Sequence, residues 1–186
     1  MIIFDLDGVL ADCEHRRHFI QEPPMWIENP RVLQNPLESA SITNPEWYNF
    51  KSDWKSFYEA CDKDKPIREV VNVFRQLALG WKTKIMIWSG RCESVRQKTQ
   101  DWLFYSGIGA FNNESLKMRP IGDTTPDDQL KDKWLDEYLL LPNMDIANCP
   151  NANSIEFVFD SDPKSIAMWK RRGIFVLNCC QEDKEF

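Results

Sequence analysis

The sequence predicts an α/β protein: a parallel sheet of about five strands flanked by helices, with a small, mainly helical insertion after the first strand. Three observations predict it. Short apolar runs recur along the chain and stop abruptly at acids or hydroxyls, as buried strands do when their C-terminal ends carry polar groups. Segments of helical periodicity separate these runs, and strands alternating with helices imply a parallel sheet with right-handed crossovers. Finally, 186 residues with 42% hydrophobic and 28% charged side chains suffice for one domain with a small insertion, and argue against a membrane protein or a disordered chain.

The elements follow in order. Met1 to Asp5 is the first apolar run, and Asp12 to about Gln21 is polar with modest helical character. Residues 22 to 45 hold Pro23, Pro24, Pro30, Pro36 and Pro45 and read as an irregular excursion. Asn44-Pro45-Glu46 reads as a helix start, and Trp47, Phe50, Trp54, Phe57 and Cys61 behind it form one apolar helical face. A helix from Pro66 to Leu79 stops at Gly80, and the strand Thr83 to Trp88 ends at Ser89-Gly90-Arg91. A helix from Glu93 to Tyr105, closed by Gly107, leads to a strand near Ser115 to Met118. Thr125 caps a helix opened by Pro126-Asp127-Asp128. Ile155 to Phe159 is a strand ending at Asp160, Pro163 to Arg172 a helix closed by Gly173, and Ile174 to Leu177 the last strand. Residues 1–18 and 63–186 thus make the core, and 19–62 the cap-like insertion.

Charge narrows the function. With 23 basic and 29 acidic residues the net charge is −6, which disfavours a general nucleic-acid coat protein but permits a site that neutralises one phosphate. No apolar run approaches the roughly 20 residues that span a bilayer, and MIIFDLDG turns acidic too early for a signal peptide. A cytoplasmic protein is expected, with Cys13, Cys61, Cys92, Cys149, Cys179 and Cys180 as free thiols.

The chemistry gathers at the strand ends: Asp5 and Asp7, then Ser89, then Asp160 and Asp162. In an open parallel sheet that edge binds ligands. Crowded carboxylates call for a cation, and an all-oxygen shell suits Mg²⁺; an isolated acid would instead be a solvated loop carboxylate. In Asp5-Leu6-Asp7-Gly8 the two acids project to one side while Leu6 turns inward, and Gly8 permits a sharp turn. One carboxylate can attack phosphorus and the other can carry the proton. Ser89 and the Gly90 N–H at a strand-to-helix turn are neutral donors for phosphate oxygens; capping preference alone favours Ser89 as a helix cap. Arg16, Arg91 and Arg119 can pair with phosphate or sit on the surface. His15 and His18 have chelating spacing but read better as surface residues, since the chain has no third histidine.

FDLDGVLAD, then WSGR, a lysine on a later helix, and VFDSD together resemble the haloacid-dehalogenase-like (HAD) phosphotransferases, which implies their Rossmann-like fold. More closely, the pattern is similar to the 3′-phosphatase domain of phage-type polynucleotide kinase-phosphatases and their stand-alone phage relatives, over most of the chain except about 19 to 60. The resemblance implies Asp5 as nucleophile, Asp7 as general acid/base, and Mg²⁺ held by Asp5, the Asp7 carbonyl and Asp160. It implies Lys131 on the nucleophile and phosphoryl oxygens with Asp127 orienting it, and Arg16, Ser89, Gly90, Arg91 and Arg119 toward phosphate or substrate. Without it, Asp127 and Lys131 read as a surface i, i+4 pair, with Lys133 the fallback for the lysine. Asp160-Ser161-Asp162 stands where the family has paired aspartates, and Thr125 where its nearest members carry a basic residue.

The function expected is a Mg²⁺-dependent phosphomonoesterase acting on a nucleotide or nucleic-acid end, polynucleotide 3′-phosphatase-like. The alternatives are a 5′(3′)-deoxyribonucleotidase for free mononucleotides and a non-catalytic phosphate-binding module. Kinase activity is not expected, because no GxxxxGK[ST] loop is present. In the insertion, Trp26, Trp47 or Tyr48 could stack on a base, though apolar helical spacing reads first as core. Nothing in the sequence specifies an oligomeric state.

Overall fold

A computed structural model describes residues 1–21, 50–80, 84–140 and 155–179. Its strands and helices run β1 (Ile2–Phe4), β2 (Ala11–Asp12), α1 (Trp54–Glu59), β3 (Lys65–Pro66), α2 (Arg68–Leu79), β4 (Ile85–Cys92), α3 (Arg96–Tyr105), β5 (Leu116–Arg119), α4 (Asp127–Leu139), β6 (Phe157–Asp160), α5 (Pro163–Arg171) and β7 (Val176–Asn178). The main sheet has five strands in the order β5-β4-β1-β6-β7, all paired in parallel. From β1 the chain winds to β4 and β5 on one side, then returns to β6 and β7 on the other. The crevice beside β1, where the winding reverses, is the ligand edge of such a sheet.

Alternation along β1 supplies both faces. Ile2 and Phe4 join a cluster with Val71 and Phe74 of α2 and Trp102 and Leu103 of α3. Ile3 joins the opposite cluster with Leu130 and Trp134 of α4 and Met168 and Trp169 of α5. Each β1 side chain is almost wholly buried, so a one-residue slip would exchange the faces of the central strand. Among the described residues no helix is long and apolar enough to cross a membrane.

The α/β class and the five-stranded parallel sheet agree with the sequence reading. Four local expectations do not. The helix expected from Asn44 to Cys61 is, in its described part, only Trp54–Glu59: residues 50–53 are not helical, and the Asp53 carboxylate caps Ser56 N. Asn44, Trp47, Tyr48 and Trp26 lie outside the described residues. The strand expected to end before Ser89 runs on to Cys92, because its pairing with β5 continues across an irregularity between Ser89 and Cys92. A helical segment begins only at Glu93 and α3 at Arg96, so Ser89 is not a helix cap; its Oγ accepts instead from Arg91 N at 3.2 Å. Thr125 is likewise not a cap, since Pro126 takes that position. A short antiparallel ladder, Ala11 and Asp12 of β2 against Pro66 and Lys65 of β3, was not expected.

Candidate active site

Each acidic side chain is placed by the end of a strand. The Asp5 backbone N–H donates to Phe159 O at 2.9 Å, continuing the β1–β6 ladder by one step beyond β1. Beyond it the chain turns: Gly8 has φ of 79°, and a Cβ there would collide with the Ser161 hydroxyl. Leu6 is fully buried, leaving Asp5 and Asp7 on the opposite side, as alternation requires.

Asp5, Asp160 and Lys131 form the centre. Lys131 Nζ on α4 lies 3.0 Å from Asp5 Oδ2 and 2.9 Å from Asp160 Oδ2, with Asp127 Oδ2 at 3.9 Å. Lys131 is 1% exposed, so the surface-pair reading of Asp127 and Lys131 does not describe it; Lys133 is exposed. Burial opposes the ammonium charge, but Asp5, Asp160 and Asp127 outweigh burial and push its pKa up. Asp5 is pushed the other way. Burial, with Asp160 and Asp127 adding like charge, holds its carboxyl well above the ordinary range despite Lys131. Asp160 is fixed by Trp169 Nε1 on Oδ2 at 3.0 Å and Asp162 N on Oδ1 at 3.1 Å. Asp162 itself caps α5 through Ser165 N, so its carboxylate serves the helix. Ser161 Oγ donates to the Asp7 carbonyl at 3.3 Å.

Asp7 belongs to a second, buried cluster. Its Oδ1 accepts from Arg16 Nη2 at 2.7 Å and from Arg91 Nε and Nη2 at 2.9 and 2.5 Å. Burial works against ionisation, but Arg91 and Arg16 outweigh it and hold the carboxyl below the usual range. Both arginines are fully buried, and Arg16 also stacks over Phe57 at 4.2 Å. The guanidiniums expected to meet phosphate thus face inward, and neither lines the cavity. Arg119 is engaged as well. It bonds Gly90 O at 3.0 Å, Thr125 O at 2.5 Å and Asp127 Oδ1 at 2.5 Å, tying the loop before α4 to the end of β4. A Cβ on Gly90 would collide with the Asp127 carboxylate, so only glycine allows this approach. His15 Nε2 lies 2.8 Å from Asp64, and His18 Nδ1 donates to the His15 carbonyl.

A cavity of about 720 Å³ opens over Asp5 and Asp7. Gly90, Arg119, Ser161, the loop from Gly122 to Asp127, and Trp54, Phe57 and Tyr58 line it. Trp54 is 51% exposed, so the aromatic face read as core leaves this ring facing solvent. Cys13 also lines the cavity, and burial pushes its thiol up to about 11, which keeps it protonated and poorly nucleophilic. Among the described residues Cys13, Cys61, Cys92 and Cys179 are free thiols.

The oxygens here fit a hard cation. Asp5 and Asp160 border one position, where a single ammonium faces two carboxylates. Among the described residues no three His, Cys, Asp or Glu side chains are placed to close around a metal. A cation would take two carboxylates, a main-chain carbonyl and several waters, the incomplete protein shell that Mg²⁺ tolerates.

A sequence profile of the polynucleotide kinase PNKP phosphatase domain matches residues 51–184, well over half of the chain. The chain belongs to that family. It is a HAD-like phosphatase, and as a member of the PNKP phosphatase family it carries Asp5 and Asp7 ahead of the matched stretch. Solved structures share its fold, two of them as follows. One, from a Pnkp1/Rnl/Hen1 complex, aligns over 98% of this chain with a TM-score of 0.56 at 19% identity. The other, the haloacid dehalogenase-like hydrolase SP0104 from Streptococcus pneumoniae, aligns over 95% with a TM-score of 0.51 at 14% identity. The chain spans 46% of the first protein's length and 82% of the second's. No curated protein matches it in sequence.

Two residues of the site escaped the sequence reading, Asp64 and Trp54. Asp64 lies in a run of alternating charge, and the two buried arginines that call for a second carboxylate beside Asp7 are visible only in the fold.

Proposed function

We propose that this PNKP-type phosphatase is a Mg²⁺-dependent phosphomonoesterase working through an aspartyl-phosphate, with a nucleic-acid or nucleotide 3′ end as substrate. The observation that carries it is Asp5 beside Lys131 and Asp160 at the floor of an open cavity. Asp5 Oδ attacks phosphorus in line, the ester oxygen departs, and Asp7, which takes up a proton when the negative phosphate sits beside it, hands that proton over. Asp7 then takes a proton from the water that cleaves the acyl phosphate, releasing inorganic phosphate and restoring both carboxyls. Lys131 neutralises phosphoryl charge beside the nucleophile, and the Gly90 N–H closes the phosphate side, while Ser89, 1% exposed and outside the cavity lining, accepts from Arg91 N. Asp127, held by Arg119, orients Lys131. Arg16 and Arg91 act on Asp7 rather than on phosphate. Asp5, Asp160 and the Asp7 carbonyl would hold Mg²⁺, which when bound supplies the charge neutralisation that Asp5 lacks.

Of the cap expected over residues 19–62, the described part places Trp54, Phe57 and Tyr58 on the cavity wall. Within it Trp54 offers an exposed ring beside Tyr58, 5.9 Å between centroids, as a stacking wall for the terminal base. Trp54→Ala should raise KM on an oligonucleotide about five- to thirtyfold with kcat little changed, the loss of one stacked base, read from steady-state kinetics. The net charge of −6 favours free mononucleotides as a second reading. The test is phosphate release from matched 3′- and 5′-phosphorylated oligonucleotides and 3′- and 5′-mononucleotides, with and without Mg²⁺. Preference for the oligonucleotide 3′-phosphate, lost with chelator and weakened steeply by salt, supports the proposal; exclusive hydrolysis of mononucleotides overturns it.

A further inference from the structure

We infer that Asp64 is a positioning residue for Asp7, setting through two shared arginines which oxygen of Asp7 meets the substrate. The inference rests on the reading of Asp7 as the proton carrier. Asp64 lies at the entry to β3, where the ladder with β2 brings it beside the segment that follows the Asp7 turn. Its side chain is fully buried. Its own backbone is held by Trp102 Nε1 on its carbonyl at 2.8 Å. Its carboxylate accepts from Arg16 Nε and Nη2, both at 2.7 Å, and from Arg91 Nη2 at 2.5 Å. His15 meets the same Oδ1 from the half-exposed side.

The four charged groups close a ring. Arg16 Nη2 and Arg91 Nη2 each bridge Asp7 Oδ1 to Asp64 Oδ2, so two cations balance two anions, and of the four side chains only that of Asp7 reaches solvent. Without Asp64, two buried guanidiniums would face Asp7 alone. They could then turn onto both of its oxygens. With Asp64 in place, all three N–H contacts from the arginines fall on Asp7 Oδ1. Among the described residues no donor reaches Oδ2, which leaves that oxygen for the substrate in the cavity that Asp7 lines. Asp64 does not line the cavity, so its effect on the reaction passes through Arg16, Arg91 and Asp7.

Leaving-group dependence separates positioning from general structural damage. A sugar alkoxide needs a proton to depart, whereas dinitrophenolate does not. Asp64→Asn should lower kcat/KM on a 3′-phosphorylated nucleotide about ten- to a hundredfold and leave dinitrophenyl phosphate within about threefold. Asp7→Asn should show the same selectivity more strongly, and the double variant should be no slower on the nucleotide than Asp7→Asn alone. Uniform loss on both substrates, no loss, or multiplicative losses in the double variant would each overturn the inference. If Asp7→Asn slows both substrates equally, the proton-carrier reading fails instead; if it discriminates and Asp64→Asn does not, only the role of Asp64 falls. Should Asp64→Asn not fold, Asp64→Glu keeps the charge and displaces it by one methylene. The same selective loss is expected there, and a uniform or absent one counts against Asp64.

Discussion

Asp5→Asn should abolish turnover, by on the order of 10⁴- to 10⁶-fold in kcat, while the protein stays folded. The amide is nearly isosteric and still offers an oxygen to Leu6 N, which the carboxylate accepts at 2.7 Å. It lacks the charge and nucleophilicity needed to attack phosphorus. The stability expectation has its own sign. A carboxyl whose pKa is raised on folding costs stability at every pH above its unfolded value, because folding opposes the charged form. Removing that charge near neutral pH should leave the melting temperature unchanged or higher. A melt by circular dichroism with phosphate release from the same preparation checks both halves. Loss of activity together with a collapsed fold would show Asp5 to be structural, and retained activity would remove the nucleophile.

Lys131→Ala should cost both stability and rate. The ammonium is 1% exposed and stands between two carboxylates, with a third beyond them. Deleting it leaves Asp5 and Asp160 buried with no cation between them, a loss of about 3–5 kcal/mol. For a chain of this size that lowers the melting temperature by about 10 °C. Turnover should fall about 10²- to 10³-fold through lost stabilisation of phosphoryl charge. Added Mg²⁺ should recover part of the melting temperature but not the rate, since the metal restores charge without replacing the donor. A variant as stable as the parent would place Lys131 outside the charge balance of the site.

Much of this was legible in the sequence because strand ends announce themselves. The run Met1 to Phe4 is apolar at every position, as a strand buried on both faces must be, and the acid after it marks the ligand edge. Alternation alone separates Asp5 and Asp7 from Leu6. Lys131 needed more: its helix spacing fits a surface pair equally well, and only the order of the four motifs distinguishes the buried role.

The rest was hidden for physical reasons. Ser89-Gly90-Arg91 looks like a turn, yet the β4–β5 pairing carries the strand through it, and buried Arg91 is tolerated because Asp7 and Asp64 neutralise it. Asp64 sits in Asp62-Lys63-Asp64-Lys65, which has the look of a solvated charge run. Only the fold reveals two guanidiniums beneath it. Trp54 obeys apolar helical spacing, but its helix is six residues long, so the periodic face does not extend far enough to cover the ring.

The stereochemical course at phosphorus tests the aspartyl-phosphate most directly. An isotopically chiral phosphorothioate monoester is hydrolysed in isotopically labelled water, and the configuration of the released thiophosphate is read. Attack by Asp5 followed by attack of water gives two inversions, so net retention is expected. Net inversion would mean that water strikes the substrate in a single displacement, with Asp5 never bonded to phosphorus.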